Sequence, residues 1–438
     1  MFRTSVSVAL FLGMCAAPLA EAARQLTVDD ALALGLKQSP DLHATQLQAE
    51  AAEDRAKSVR GHLLPLINLQ EEYQHYDKPF AISFPLGPNA PAAAFVARKQ
   101  DTNSFVAAAD QPILGLFHIV PDYMAAGAAA EASSYDAKTA TSALREGVRA
   151  GFLRYFEAKS AEAIAKASED QLAEQIQVTD AKFKAGTVTN ADVLRIKVAA
   201  ANARQQEIFA QAQAQVVKAN VLAIIGLRAN DPNVELVEPT QLESQAAAAS
   251  APAFDDARAS AFKLRPEIMA AHAQATAAAH TRTARWFNLL PEADLEGAYV
   301  RVDGQVFAPK QSWFIGVKAS WTIWEWGADF YAGRAAGAQA DAAASLAQAR
   351  ADQVEVDVAT KLCNLTAVQS ALDAAQTAIA SAEEAYRVTQ ALVKAGTATT
   401  TDLLDSQSAL TTSRQNLNRA TYERAIAQVA LQRTTGQD

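Results

Sequence analysis

Two spans of the chain, residues 66–76 and 293–302, alternate apolar and polar side chains with a period of two. In the first span Ile67, Leu69 and Tyr73 fall on one face and Asn68, Gln70 and Glu72 on the other. The second span repeats the apolar face with Ala293, Leu295 and Tyr299. A further strand follows each. One carries Phe105, Ala107, Ala109, Gln111 and Ile113. The other carries Trp313, Ile315, Val317, Ala319, Trp321 and Ile323, alternating with Phe314, Gly316, Lys318, Ser320 and Thr322. Period two over about ten residues, with aromatic ends, is the pattern of a transmembrane β-strand; a half-buried strand of a soluble sheet reads the same way. Four strands are too few to close a water-filled barrel, so closure needs several chains.

The remaining long spans follow another rule. No proline occurs between Pro121 and Pro232, or after Pro309. Proline inside a helix costs about 3 kcal/mol, and these spans are rich in Ala, Gln, Glu, Lys, Arg and Leu, the better helix formers. The pattern predicts two helical hairpins, 122–184 with 191–226 and 328–394 with 400–433. Gly186 and Gly396 interrupt them, each suited to the left-handed residue that closes a helix. Thr189 with Asp192, and Thr399 with Asp402, then match a capping box opening the next helix. An arm of about 60 residues would be roughly 90 Å long, more than an ordinary globular domain needs. Shorter helices are expected at 27–37 and 40–61, and again at 255–263 and 266–287. Thr27 and Asp30 cap the first, and Ser39 with Pro40 opens the second.

The chain is therefore duplicated. Lys184-Ala185-Gly186-Thr187 returns as Lys394-Ala395-Gly396-Thr397, 210 positions later, whereas Leu64-Pro65 returns as Leu290-Pro291 and Pro40 as Pro266, 226 positions later. One change of spacing accounts for the difference: the first copy carries 16 extra residues between its strands. That excess lies in 77–103, where Pro79, Pro85, Pro88 and Pro91 resist helix and strand alike. The expected organisation is a signal segment at 1–22, a first repeat at 23–231, a linker at 232–253 and a second repeat at 254–438. Internal duplication of this kind builds pseudo-symmetric walls and rings.

Composition adds a compartment and removes some functions. Arg3, the apolar stretch from Val6 to Ala17, Pro18 and Ala20-Glu21-Ala22 form a secretory signal pattern, with cleavage expected between Ala22 and Ala23. The competing pattern is a lipoprotein signal ending at Cys15, with Leu12 three positions before it and bulky Met14 against it. Without Cys15 only Cys363 remains, so no intrachain disulfide forms. No later apolar run reaches about 18 residues, so no transmembrane helix is expected. A net charge of -9 argues against nucleic acid as partner. The histidines at 43, 62, 75, 118, 272 and 280 lack metal-ligand spacing, no phosphate-binding glycine loop is present, and no cofactor or catalysis is expected. Trp313, Trp321, Trp324 and Trp326 sit where a membrane-interface belt would form.

Short helix, Pro-opened helix, Leu-Pro, strand, loop, strand and a long hairpin bearing Ala-Gly-Thr-x-Thr-x-x-Asp, all repeated, resemble the TolC-like outer membrane efflux and secretion channels over about residues 26–432. The resemblance implies a mostly α fold with β: long α-hairpins forming a periplasmic α-barrel, plus four strands per chain in a 12-stranded trimeric outer-membrane β-barrel. It implies a homotrimer in outer membrane lipid, working with a periplasmic adaptor (membrane fusion) protein and an inner-membrane pump. The cell-surface loops would be 77–103 and 303–310. The periplasmic turns would be Gly186, Thr187 and Asp192 in one hairpin and Gly396 and Thr397 in the other. Asp402 and Asp405 match the acidic positions that ring the pore constriction, and Asp192 a position that ties hairpins together. Where some members carry a locking Tyr and Arg, this chain has Val393 and Ala398, so its lock is different or weaker. Arg195 occupies in the first repeat the place of Asp405 in the second, which makes the two a candidate pair; a solvated arginine on the helix surface is the favoured alternative.

Capping alone also explains Asp402 and Asp192, because free N–H groups and the helix dipole favour a carboxylate there. The alternative for the whole chain is a periplasmic coiled-coil adaptor or scaffold without a pore. The cargo (drug, metal ion, siderophore or polypeptide) is not legible in these residues.

Overall fold

A computed structural model describes residues 24–84, 93–238 and 252–437. The expected cleavage point at Ala22 and Ala23 lies outside the described residues, as do 85–92 and most of the expected linker. The helices are α1 (Val28–Gln38), α2 (Pro40–Gly61), α3 (Leu116–Lys184), α4 (Asn190–Ile224), α5 (Phe254–Leu264), α6 (Pro266–Phe287), α7 (Ala328–Ala395) and α8 (Thr400–Thr434). The strands are β1 (Arg24–Leu26), β2 (Leu66–His75), β3 (Phe80–Phe84), β4 (Ala93–Pro112), β5 (Val234–Leu236), β6 (Glu292–Gln305) and β7 (Gln311–Ser320). The duplication extends to element length. α1 and α5 have 11 residues each, α2 and α6 have 22, and α4 and α8 have 35. Helix α3 starts before the expected residue 122 and carries Pro121 inside it, as its sixth residue, where proline supplies no N–H to the Phe117 carbonyl. On α7 the buried Ala347, Ala351, Val354, Val358, Leu365, Leu372 and Ala375 recur three, four or seven apart. That is a coiled-coil seam, and alanine along it lets helix backbones approach closely.

Packing groups the chain into two units. The first holds residues 24–39, 144–238 and 363–431. Within it β1 pairs in parallel with β5, Leu26 opposite Leu236, and Leu26, Val234 and Leu236 are buried. The expected linker therefore begins with an ordered strand. Helix α4 closes at Gly226, φ +81°, with its N–H bonded to the Ala223 carbonyl at 3.0 Å and the Leu227 N–H to the Leu222 carbonyl at 2.8 Å. A Cβ at Gly226 would collide with the carbonyl oxygen of Gln38, the last residue of α1.

The second unit holds residues 40–84, 93–143, 252–362 and 432–437. Its antiparallel sheet runs in the order β2-β4-β6-β7, with β3 added to the far part of β4. The register places Ile67, Ala109, Gly297 and Ile315 in one row and Leu69, Ala107, Tyr299 and Trp313 in the next. One face is thus apolar and open: Ile67, Leu69, Trp313, Ile315 and Val317 are all exposed. The opposite face carries Asn68, Gln70, Glu72, Asp110, Glu296 and Lys318. Two strand limits differ from expectation, since Ile113 lies past the end of β4 and Trp321 and Ile323 past the end of β7. The 16-residue excess also differs. It contains β3 and the first part of β4, because Pro79 stands before Phe80 and the other three prolines fall after Phe84, leaving Phe80, Ile82 and Phe84 free to alternate.

The same unit repeats the joint of the first. Gly436, φ +73°, closes α8 with bonds to Arg433 and from Gln437 to Gln432, both 2.9 Å, and a Cβ on it would lie 2.5 Å from the Cβ of Leu264, the last residue of α5. Beside it Ala257, Ala261, Ile268, Val354 and Val358 form an apolar core. Arg265 forks onto Glu267 at 3.2 and 3.3 Å and reaches Asp357 at 3.4 Å, while Arg433 stands 3.7 Å from Glu267. Burial alone would raise the Glu267 carboxyl, but these guanidinium bonds win and hold it below the usual range. Glu267→Ala is expected to destabilise this unit by about 2–3 kcal/mol, read as a lower melting midpoint by circular dichroism. A carboxyl lowered on folding adds stability above its unfolded pKa, about 4.3, and loses it as pH falls through the folded value. The wild-type advantage over the variant should therefore shrink in acid.

Candidate functional site

The two hairpin turns lie in the first unit and share one hydrogen-bond design. After α3, Gly186 takes φ +75° and its N–H bonds to the Phe183 carbonyl at 2.9 Å. The Thr187 N–H and hydroxyl both bond to the Lys182 carbonyl at 3.0 Å. After α7, Gly396 at φ +78° bonds to Val393 at 3.3 Å, and Thr397 bonds twice to Leu392 at 2.9 and 3.1 Å. This is a Schellman closure, with a threonine hydroxyl added to the outer carbonyl. A Cβ added at either glycine would meet nothing within 4 Å, so glycine is there for its φ alone.

The next helix opens on a capping box. Asp192 accepts from the Thr189 N–H at 3.0 Å and hydroxyl at 2.6 Å, and its own N–H bonds back to the Thr189 hydroxyl at 3.3 Å. Asp402 does the same with Thr399 at 2.8, 2.7 and 3.2 Å. Hydroxyl and N–H bonds from the threonine hold both carboxyls below the usual aspartate range, with Arg195 adding to the effect at Asp192. The capping role of both residues is therefore realised. It uses only one carboxylate oxygen of Asp402, Oδ2, and Asp402 and Asp405 are both exposed three residues apart on α8.

Arg195 contacts neither its candidate partner Asp405 nor solvent alone. Its guanidinium donates to the Thr401 hydroxyl at 3.2 Å and stands 3.7 Å from Asp192. Asp192 lies within its reach on the same helix, three residues away, which directs the charge there rather than to Asp405. Leu404, between the two acidic positions, packs onto a cluster of Leu172, Ile196 and Ala203, joining α8 to α3 and α4. Behind it is a cavity of about 230 Å³ lined by polar groups that include Asn202, Gln206, Gln407 and Thr411. Gln407 is 3% exposed, and Thr411 donates to the Ser168 hydroxyl at 3.3 Å. Neither the Arg195–Thr401 contact nor this polar cavity was legible in sequence spacing. Among the described residues no group of three His, Cys, Asp or Glu side chains is placed to hold a metal ion.

A duplicated chain of long capped hairpins and an open antiparallel sheet, apolar on one face, defines the class of outer-membrane channels with a helical extension. The outer membrane efflux protein family matches residues 31–227 and 257–437, and the chain belongs to that family. Its fold is that of solved channels. CusC superposes with a TM-score of 0.80 at 16% identity, covering 94% of this chain and 92% of that one. The Campylobacter jejuni CmeC outer membrane channel gives 0.78 at 17%, covering 94% and 85%. The open state of the Neisseria gonorrhoeae MtrE outer membrane channel gives 0.76 at 18%, covering 93% and 88%. No curated protein matches the sequence.

Proposed function

We propose that the chain is the passive outer-membrane duct of a tripartite efflux or type I secretion assembly. Three copies share one 12-stranded barrel and one helical tunnel, and an adaptor and an inner-membrane pump supply recognition and energy. The observation that carries this reading is the sheet: four long strands, with β3 added to β4, an exposed apolar face and uncovered edges at β2 and β7, on a chain whose helices turn twice through the same capped motif. A strand edge in lipid must be paired, because no water there satisfies its backbone groups. A pore-free adaptor has no use for an apolar sheet face in both copies of the repeat. Asp402 and Asp405, three apart and exposed, would ring the opening at the hairpin turns. Gly186, Thr187, Asp192, Gly396 and Thr397 shape the turns that bear on it. Purified protein in planar bilayers tests the reading. Stepwise ion conductance from outer-membrane fractions is expected, and a soluble periplasmic protein without conductance would contradict it.

The same orientation places residues 77–103 and 303–310 outside the cell. Protease added to intact cells is expected to cut within 77–103, which carries prolines at 79, 85, 88 and 91, and to spare the turns at Gly186 and Gly396. Immunoblotting of the fragments reads the site. Cleavage at the glycine turns instead would invert the topology.

A further inference from the structure

We infer that the two free edges of the sheet, β2 of one copy and β7 of the next, pair antiparallel in a single register in which partner numbers sum to 386. Ile67 then faces Ala319, Leu69 faces Val317, Asn68 faces Lys318 and Tyr73 faces Trp313. The inference rests on the shared-barrel reading above and specifies the surface by which a second copy joins.

Both edges are bare and equally long. Every one of the ten residues of β2 is exposed, and so are nine of the ten of β7. Odd-numbered residues of both strands lie on the apolar face, as the rows from Ile67 to Ile315 and from Leu69 to Trp313 establish. A one-residue slip would exchange the faces, so only even sums are allowed.

Closure narrows the choice. Across the sheet Leu66 stands level with Asp110, Glu296 and Gly316, numbers that sum to 382 between the two edge strands. A sum larger by 2, 4 or 6 staggers each copy by as many residues. With about 3.4 Å per residue and about 4.8 Å between strands, twelve strands then tilt by about 20°, 35° or 47°. Outer-membrane barrels tilt by about 35–45°, which leaves 386 and 388. The opposite stagger carries most of β2 past the end of β7 and leaves both edges unpaired.

The length of the ladder separates the last two. At 386, Leu66–His75 meets Gln311–Ser320 from end to end, the aromatic Tyr73 faces Trp313, and Gln74 faces Ser312. At 388, Leu66 and Ile67 meet residues beyond the end of β7, and Gln311 and Ser312 lose their partners. The complete ladder favours the first, because it leaves no backbone group of either edge strand unpaired.

Disulfide trapping tests the register. With Cys15 and Cys363 replaced by serine, Asn68→Cys/Lys318→Cys is compared with Gln70→Cys/Lys318→Cys and Leu66→Cys/Lys318→Cys. Directly opposed residues in an antiparallel pair lie about 4.5–5.5 Å apart at Cα, within disulfide range, whereas neighbours two along lie at about 7–8 Å. Oxidised membranes carrying the first pair should run as a covalent trimer on a non-reducing gel, and the other two mainly as single chains. Stronger linking through Gln70→Cys or Leu66→Cys overturns the register but keeps the shared barrel. No linking in any pair from protein that is trimeric by native mass also overturns it. No linking together with a monomeric native mass removes the shared barrel itself.

Discussion

Alanine at both Asp402 and Asp405 is expected to abolish block of the channel by multivalent cations added from the periplasmic side, while the assembly stays intact. Three copies would bring six carboxylates to one opening. At about 7 Å in water, each like-charged pair repels by roughly 0.6 kcal/mol, and more where the opening excludes water. A multivalent cation relieves several such pairs at once, so it should bind in the ring and occlude it. The double variant loses the ring, but its structural loss is small, because breaking one capping box costs about 1 kcal/mol per helix. Asp192→Ala is the control. It breaks an equivalent cap at Thr189, but its carboxylate is already partnered by Arg195 at 3.7 Å, so block should survive. With Val393 and Ala398 where some relatives carry a lock, basal conductance should also be high. Single-channel recording of the three proteins checks all of this. Unchanged block in the double variant would leave Asp402 a cap and Asp405 a surface charge.

The second large effect concerns two glycines the gate does not use. Gly226→Ala and Gly436→Ala are each expected to destabilise the fold by about 3–5 kcal/mol and to cut the yield of assembled protein sharply. Left-handed backbone alone costs alanine only about 1 kcal/mol. The remainder comes from contact: a Cβ at Gly226 collides with the Gln38 carbonyl, and one at Gly436 lies 2.5 Å from the Leu264 Cβ, leaving no flexible side-chain end to yield. Gly186→Ala provides the comparison. Its φ is +75° but an added Cβ would meet nothing within 4 Å, so it should lose only about 1 kcal/mol. Thermal melts followed by circular dichroism would rank the three. Equal losses would show that contact at the joint is unimportant.

These positions also mark where sequence reading succeeds and stops. The hairpin turns were legible because one short motif writes both the closure of a helix and the capping of the next, and the structure realises every bond of it. The four long strands were legible because alternation over ten residues is a strong local signal. Strands β1 and β5, of three residues each, are too short to show any period, and their pairing brings together residues more than 200 apart. The proline-rich excess misled because proline content was read as an average, whereas the prolines flank β3 and leave it uninterrupted. Gly226 marked a helix end in the sequence, but the atoms that forbid a Cβ at Gly226 and Gly436 lie on other helices and left no signal there. Arg195 was paired by repeat position with Asp405, but a partner three residues away on its own helix and the Thr401 hydroxyl take it instead. Local chemistry was readable, and contacts between elements were not.

The central claim is that one chain cannot form the pore and three can. Native mass measurement of the detergent-purified protein, on the same preparation that conducts in planar bilayers, tests it most directly. The account expects the mass of three chains. A monomer or dimer that still conducts would contradict it.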